Sequence, residues 1–213
     1  MTSSPPFPWS IRRSMQYTTL NIKAVSGPAS ITASGLSDVK EHLKVNSTYE
    51  DTLIQMYLDS AVHAVEAYCQ ITIPQTTWEL KLPHFPWDYR YIELPRGPVS
   101  SVLSMYYFDT DEVSTLWASS SYEASLDEMP ARLYLQEGDS WEETYQRPDA
   151  VKIQYTAGYS TWAAVPPEIR QPIYYLVAHS YAYRQPVVTG TIATALPFAL
   201  KASLQRIREG FNV

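Results

Sequence analysis

Cysteine, glycine and long apolar runs are what this chain has least of, and each shortage excludes a class of protein. A single cysteine, Cys69, leaves no partner for an internal disulfide. Near the end of an amphipathic stretch it reads as a small buried apolar side chain rather than a catalytic thiol. Only 7 glycines occur in 213 residues, and none is set in a phosphate-binding loop. There is no GxSxG elbow, no HExxH and no pair of CxxC motifs, so the common nucleophile and zinc signatures are missing. No apolar run approaches the ~20 residues of a membrane-spanning helix. The N-terminus also lacks the basic region and apolar core of a signal peptide, and the expectation is a soluble, intracellular protein. Blocks of one positive sign are absent too. With 16 Lys and Arg against 22 Asp and Glu the formal net charge is -6, which argues against gripping a phosphate backbone.

What is present is apolar and aromatic. Hydrophobic residues make up 45% of the chain, enough for a sizeable core, and 17 Tyr, 6 Trp and 16 Pro favour stacked aromatic surfaces and stiff connections. Such residues are enriched at protein interfaces.

The clearest element runs from Tyr49 to Gln70. Leu53, Ile54, Tyr57, Leu58, Ala61, Val62, Val65 and Tyr68 recur at three- and four-residue steps, one stripe of an α-helix. Ser47 or Thr48 is the candidate cap, and Ile71-Thr72-Ile73-Pro74 ends the pattern. Before it, residues 1–35 show no helical period and read as an extended arm, part of which pairs as a strand or lies on a neighbouring chain. Phe7 and Trp9 are its candidate contacts. A short helix over 36–45 follows, with Ser37 as its N-cap. From Thr76 the period becomes two, and strand character persists to residue 157 over 76–82, 91–94, 99–108, near Trp117, 122–125, 132–136 and 151–155. Helix returns over 166–184, opened by Pro166-Pro167-Glu168 and interrupted by Pro172, where a kink or a late start is expected. A final helix over 198–209 points Leu200, Leu204 and Ile207 inward. The fold class is therefore α+β: a small helical bundle with an antiparallel β insertion between its second and third helices, and an extended N-terminal arm. The arm is residues 1–35 and the main domain 36–213.

Candidate chemistry is sparse. Asp59, His63 and Glu66 share a helix face but lack converging ligands, so a solvated face is the plain reading. Asp109, Asp111 and Glu112 lack the rest of a calcium loop and read as a hairpin tip. His179, among Tyr174, Tyr175, Tyr181 and Tyr183, reads as a helix histidine beside aromatics. Asp139, Glu142 and Glu143 around Trp141 resemble a glycosidase's acids and sugar platform, which leaves a carbohydrate-binding β module as an alternative. No catalytic residue, cofactor or metal ligand is assigned.

The succession LSDVKEHLKV, DTLIQMYLDSAVHAVEAYCQ, TTWELKLP, IELPRGPVSSVLSMYYFDTD, PARLYLQEGDSWEETYQRPDAVKIQYTAGY, VPPEIRQPIYYLVAHSYAYRQPVV and LPFALKASLQRIR resembles the head-tail connector, or adaptor, family of tailed bacteriophages and phage-like gene transfer agents. The resemblance covers about Leu36 to Arg208. It implies a non-enzymatic virion protein of the neck, assembled in the host cytoplasm as a homo-oligomeric, dodecameric ring under the portal protein. DNA would pass through the ring without specific binding, no membrane would be involved, and a stopper or tail-terminator protein would attach next. Under this resemblance Phe198, Leu200, Lys201, Leu204, Arg208 and Phe211 are the expected portal-docking residues. Phe85, Trp87, Tyr89, Phe108 and Trp117 are expected to meet a neighbour or the tail side. A tail-terminator or other tail structural protein remains the nearer alternative.

Overall fold

The computed structural model describes residues 22–26, 32–87, 89–183 and 198–211. Readings made on residues 1–21, including Phe7 and Trp9, and on residues 184–197 lie outside these. The elements, in order, are β1 (Ile22–Ala24), α1 (Thr32–Leu43), α2 (Asp51–Cys69), β2 (Thr76–Leu82), β3 (Tyr91–Leu94), β4 (Val99–Phe108), β5 (Ser114–Leu116), β6 (Tyr122–Ser125), β7 (Ala131–Leu135), β8 (Val151–Ala157), α3 (Pro167–Ala182) and α4 (Phe198–Phe211). The α+β class and the antiparallel strands are as read from the sequence.

One core is helical. Ile54, Leu58, Ala61, Val62, Val65 and Cys69 of α2 pack with Val39 of α1, Ile169, Ile173 and Val177 of α3, and Leu200, Leu204 and Ile207 of α4. The three- and four-residue spacing produces this stripe, although its last member is Cys69, while Tyr68 faces outward. Gln70, in the left-handed region at φ 59, ends α2.

Several boundaries differ from expectation. Helix α1 begins at Thr32, so Ser37 lies inside it and does not cap it. Gly35, read as a turn, is buried within α1, where a Cβ would come 2.8 Å from the Trp162 indole. The small residue is there for close packing, a reason no local pattern reveals. Ser47 accepts a hydrogen bond from the Tyr49 amide at 3.1 Å, which shapes the turn before α2; the N-cap position itself is Glu50. Pro172 neither delays nor breaks α3, which runs from Pro167 through Ala182 with the proline buried. The bond it removes would have gone to the carbonyl of Glu168, in the exposed first turn.

The β insertion is two sheets rather than one. A five-stranded sheet has the order β1-β2-β8-β4-β5, and a three-stranded sheet the order β3-β7-β6, with every pairing antiparallel. Alternate residues of β7 and β8 are buried, as the period-two pattern requires. Leu80, Leu82, Ile92, Leu94, Met105, Leu133, Ile153 and Tyr155 fill a second core shared by both sheets. Strand β1, from the segment read as arm, pairs with β2, setting Ile22 opposite Leu80 and Ala24 opposite Trp78.

The two cores meet at Ile71–Pro74. Thr72 is buried, and three bonds fix it: its amide donates to Gly97 O at 2.9 Å, its hydroxyl donates to Arg96 O at 2.7 Å, and its Oγ1 accepts from Trp78 Nε1 at 3.0 Å. Beside it the Tyr159 amide donates to Ile73 O, and the Gln75 amide to Tyr159 O. Gly158 completes the seam at φ +95, where a Cβ would come 2.8 Å from Pro74 O. Substituting Thr72→Val keeps the shape but strands the Arg96 carbonyl and the Trp78 indole nitrogen. The expected cost is about 1–3 kcal/mol in urea unfolding. An unchanged midpoint would show that the seam is not held by these bonds.

Candidate interaction surfaces

Amphipathic spacing places α4 on the helical core through Leu200 and Leu204, which are 5% and 4% exposed. Within the subunit their side chains are buried in the helical core, where they hold α4 in place. The exposed face presents Lys201 and Arg208, whose guanidinium lies 6.0 Å from the Tyr68 ring centroid. Phe198 and Phe211 are the terminal residues of α4, and their side chains lie outside the described residues.

A similar sorting occurs among the aromatics of the β insertion. Phe85 and Trp117, at 3% and 7% exposure, are interior residues of the subunit. Phe85 stacks on Trp141 with centroids 4.8 Å apart and planes at 10°, and meets Trp117 at 5.0 Å; Tyr107 closes the cluster. Four large rings cannot all be kept in water, and their mutual packing adds to the second core. Trp87, by contrast, is 80% exposed beside His84, and Tyr89 is at the surface with its carbonyl accepting from Trp141 Nε1 at 3.0 Å. Because one face of Trp141 lies on Phe85, that face is closed to a sugar ring, and the flanking Asp139, Glu142 and Glu143 are exposed.

Phe108 is half-buried beneath two cations, Arg147 at 3.9 Å and Lys152 at 5.0 Å from its ring centroid. The same cations hold Asp149, through Arg147 Nε at 2.6 Å and Lys152 Nζ at 3.1 Å. The Arg147 hydrogen bond, helped by Lys152, lowers the Asp149 carboxyl to about 2. At the β4–β5 tip, Asp109 accepts from the amides of Asp111 and Val113, each at 3.0 Å. This is the hairpin-tip chemistry expected of the sequence, with the carboxylate serving its own turn.

The sequence reading missed an apolar edge. Leu103, Tyr106, Val113 and Leu116 are all exposed, and Tyr106 stands opposite Leu116 on β4 and β5. Alternation with buried Met105 would have placed Tyr106 outside. Leu103 is turned out where the β4–β8 register shifts between Val102 and Ser104, an irregularity that leaves no mark in composition.

Among the described residues there is no group of three or more metal-ligating side chains, and no helix is long and apolar enough to cross a membrane. Asp59 accepts from Gln55. His63 lies 3.3 Å from Glu66, whose other oxygen accepts from the Ile73 amide; burial raises the Glu66 pKa in spite of these partners. His179 is exposed beside Tyr183. Burial pushes the Cys69 thiol up to about 11, against the thiolate a nucleophile requires.

Residues 34–106 match the family described as phage gp6-like head-tail connector protein. No curated protein matches the chain. Among solved structures, a chain from the neck of an empty GTA particle, computed with C6 symmetry, is 24% identical over 90% of this chain and 95% of its own, with a TM-score of 0.70. A chain from the virion of a native gene transfer agent (GTA) particle is 23% identical over the same shares, at 0.69. A chain from the neck of a native GTA particle, computed with C12 symmetry, is 24% identical, at 0.68. The likeness to head-tail connectors read from the sequence is thus shown over residues 34–106, and over 90% of the chain the fold is shared with a chain of a GTA neck.

Two measurements check the chemistry of these surfaces. Cys69 should resist a thiol reagent in the folded chain and react once urea unfolds it; rapid native labelling would contradict its burial. Asp149 has a lowered folded pKa, so its contribution is present above the ordinary carboxylate range and is lost as pH falls from about 4 to about 2. Asp149→Asn should therefore lose less stability than the parent across that window, and equal losses would argue against the Arg147 pairing.

Proposed function

We propose, from the connector-family match over residues 34–106 and the neck-chain fold over 90% of the chain, that this protein is a non-enzymatic structural subunit of a head-tail neck. It forms a cyclic, dodecameric ring that docks under a portal protein, continues the DNA channel and offers the attachment surface for a stopper or tail-terminator protein. Its place is the virion, after assembly in the host cytoplasm. The single observation that carries this reading is the fold shared with chains of GTA necks over 95% of their length, one of them computed with C12 symmetry.

The chain's own physics is consistent with that role. A ring built head to tail needs two unlike patches on each copy rather than one self-complementary patch. The exposed Leu103, Tyr106 and Leu116 edge is one candidate for such a patch. A net charge of -6 with no basic block lets DNA pass without counterion release holding it to the wall. A tail-terminator reading expects a chain dominated by β structure, and the separate helical core weighs against it.

Portal docking falls to the exposed face of α4, with Lys201 and Arg208 as its charged contacts and Phe198 and Phe211 at its ends. Leu200 and Leu204 act only by fixing the helix. The double substitution Lys201→Glu/Arg208→Glu should weaken capture by the cognate portal about tenfold with helix content unchanged. Undiminished capture would remove α4 from the portal interface.

A further inference from the structure

A cleft of ≈ 300 Å³ opens beside β5, lined by Tyr107, Leu116, Trp117, Asp139, Ser140 and Glu142 among others. The function above makes no use of it. Trp117 is 7% exposed, and its indole Nε1 has no hydrogen-bond partner among the described residues. A buried donor left unpaired is costly, and its place in the cleft wall calls for an acceptor from whatever enters. The neighbouring loop carries Glu137, Asp139, Glu142 and Glu143, all exposed. The cation bonded to this loop, Arg90, donates to the carbonyls of Gln136 and Asp139 rather than to its carboxylates. Leu116 and Val113 add exposed apolar surface at the rim. The site therefore suits an extended peptide with backbone carbonyls, positive charge and large apolar side chains.

The chain itself contains one segment of that chemistry. The first acidic residue is Asp38, so residues 1–21 carry Arg12 and Arg13 with no acid, together with Phe7 and Trp9. The remainder of the chain is correspondingly more negative than the whole. The segment ends at β1, the edge strand opposite β5 in the five-stranded sheet. Four inter-strand steps separate those edges, about 19 Å, whereas 21 extended residues reach up to ~70 Å.

We propose that residues 1–21 of one copy dock in the cleft beside β5 of the neighbouring copy, a proposal that rests on the ring reading. A head-to-tail ring brings unlike sides together, and in this docking the β1 side of one subunit meets the β5 side of the next. Arg12 and Arg13 face Asp139 and Glu142, a backbone carbonyl of the segment accepts from Trp117 Nε1, and Phe7 and Trp9 cover Leu116 and Val113. Each subunit thereby ties down its neighbour, and the chain of ties closes with the ring.

The test mixes two full-length variants, Ser14→Cys in one and Ser140→Cys in the other, assembles them on the portal and oxidises the product. A disulfide between the two variants is the expected result, because neither chain carries both introduced thiols. Adding Arg12→Glu and Arg13→Glu to the first variant should cut its yield about tenfold, and Asp139→Lys with Glu142→Lys in the second should restore it. Native mass of the same sample separates the possible failures. A complete ring without the disulfide overturns this docking and leaves the ring reading standing. In a parallel sample of the double variant Ser14→Cys/Ser140→Cys, a disulfide within one chain, with none between the mixed single variants, places the segment on its own subunit and overturns the proposal as well. Absence of any ring overturns both.

Discussion

The hydrogen bonds of Thr72 are the constraint on which the rest of the structure depends. The helical core and the two-sheet core are separate clusters, and Thr72 ties the end of α2 to the turn before β4 while holding the Trp78 indole. Close approach of Gly158 to the Pro74 carbonyl fixes the return path from β8 toward α3. Without this seam each core would persist as a hydrophobic cluster, but the direction from one to the other would be lost. The outer face of α4 and the apolar β4–β5 edge lie on different cores, so their relative placement depends on it. A ring subunit that must meet unlike partners at once requires that placement to be fixed in advance.

Aromatic residues serve two purposes in this chain. Phe85, Tyr107, Trp117 and Trp141 pack together in the second core, whereas Trp87, Tyr89 and Tyr106 remain at the surface. Rigid side chains buried inside keep the strands in register, and rigid side chains outside lose little entropy when a partner covers them. The acidic loop around Trp141 follows the same logic. Its ring stacks on Phe85 and its acids face solvent.

Much of the fold was legible because it follows from local period. Alternation located β2, continued strand character located β3 and β6 at the residues where they occur, and three- and four-residue spacing identified the buried stripe of α2. What was not legible depends on residues distant in sequence. Gly35 reads as a turn until Trp162 is brought against it, and one β insertion becomes two sheets only when β3 pairs with β7 instead of β4. The interaction surfaces were harder still. Spacing shows that Leu200 and Leu204 share a face, but whether that face meets α2 and α3 or another protein is a tertiary fact. The same holds for Phe85 and Trp117, since aromaticity identifies a contact without identifying the partner, and both are interior here, whereas Lys201, Arg208 and Trp87 are exposed.

The central claim is that this chain is a ring subunit whose closure belongs to the neck. Native mass spectrometry of the purified chain, first alone and then with its cognate portal, tests it most directly. The account predicts a closed ring of twelve copies on the portal, the symmetry order at which one related neck was computed. A chain that stays monomeric and indifferent to portal under the same conditions would contradict it.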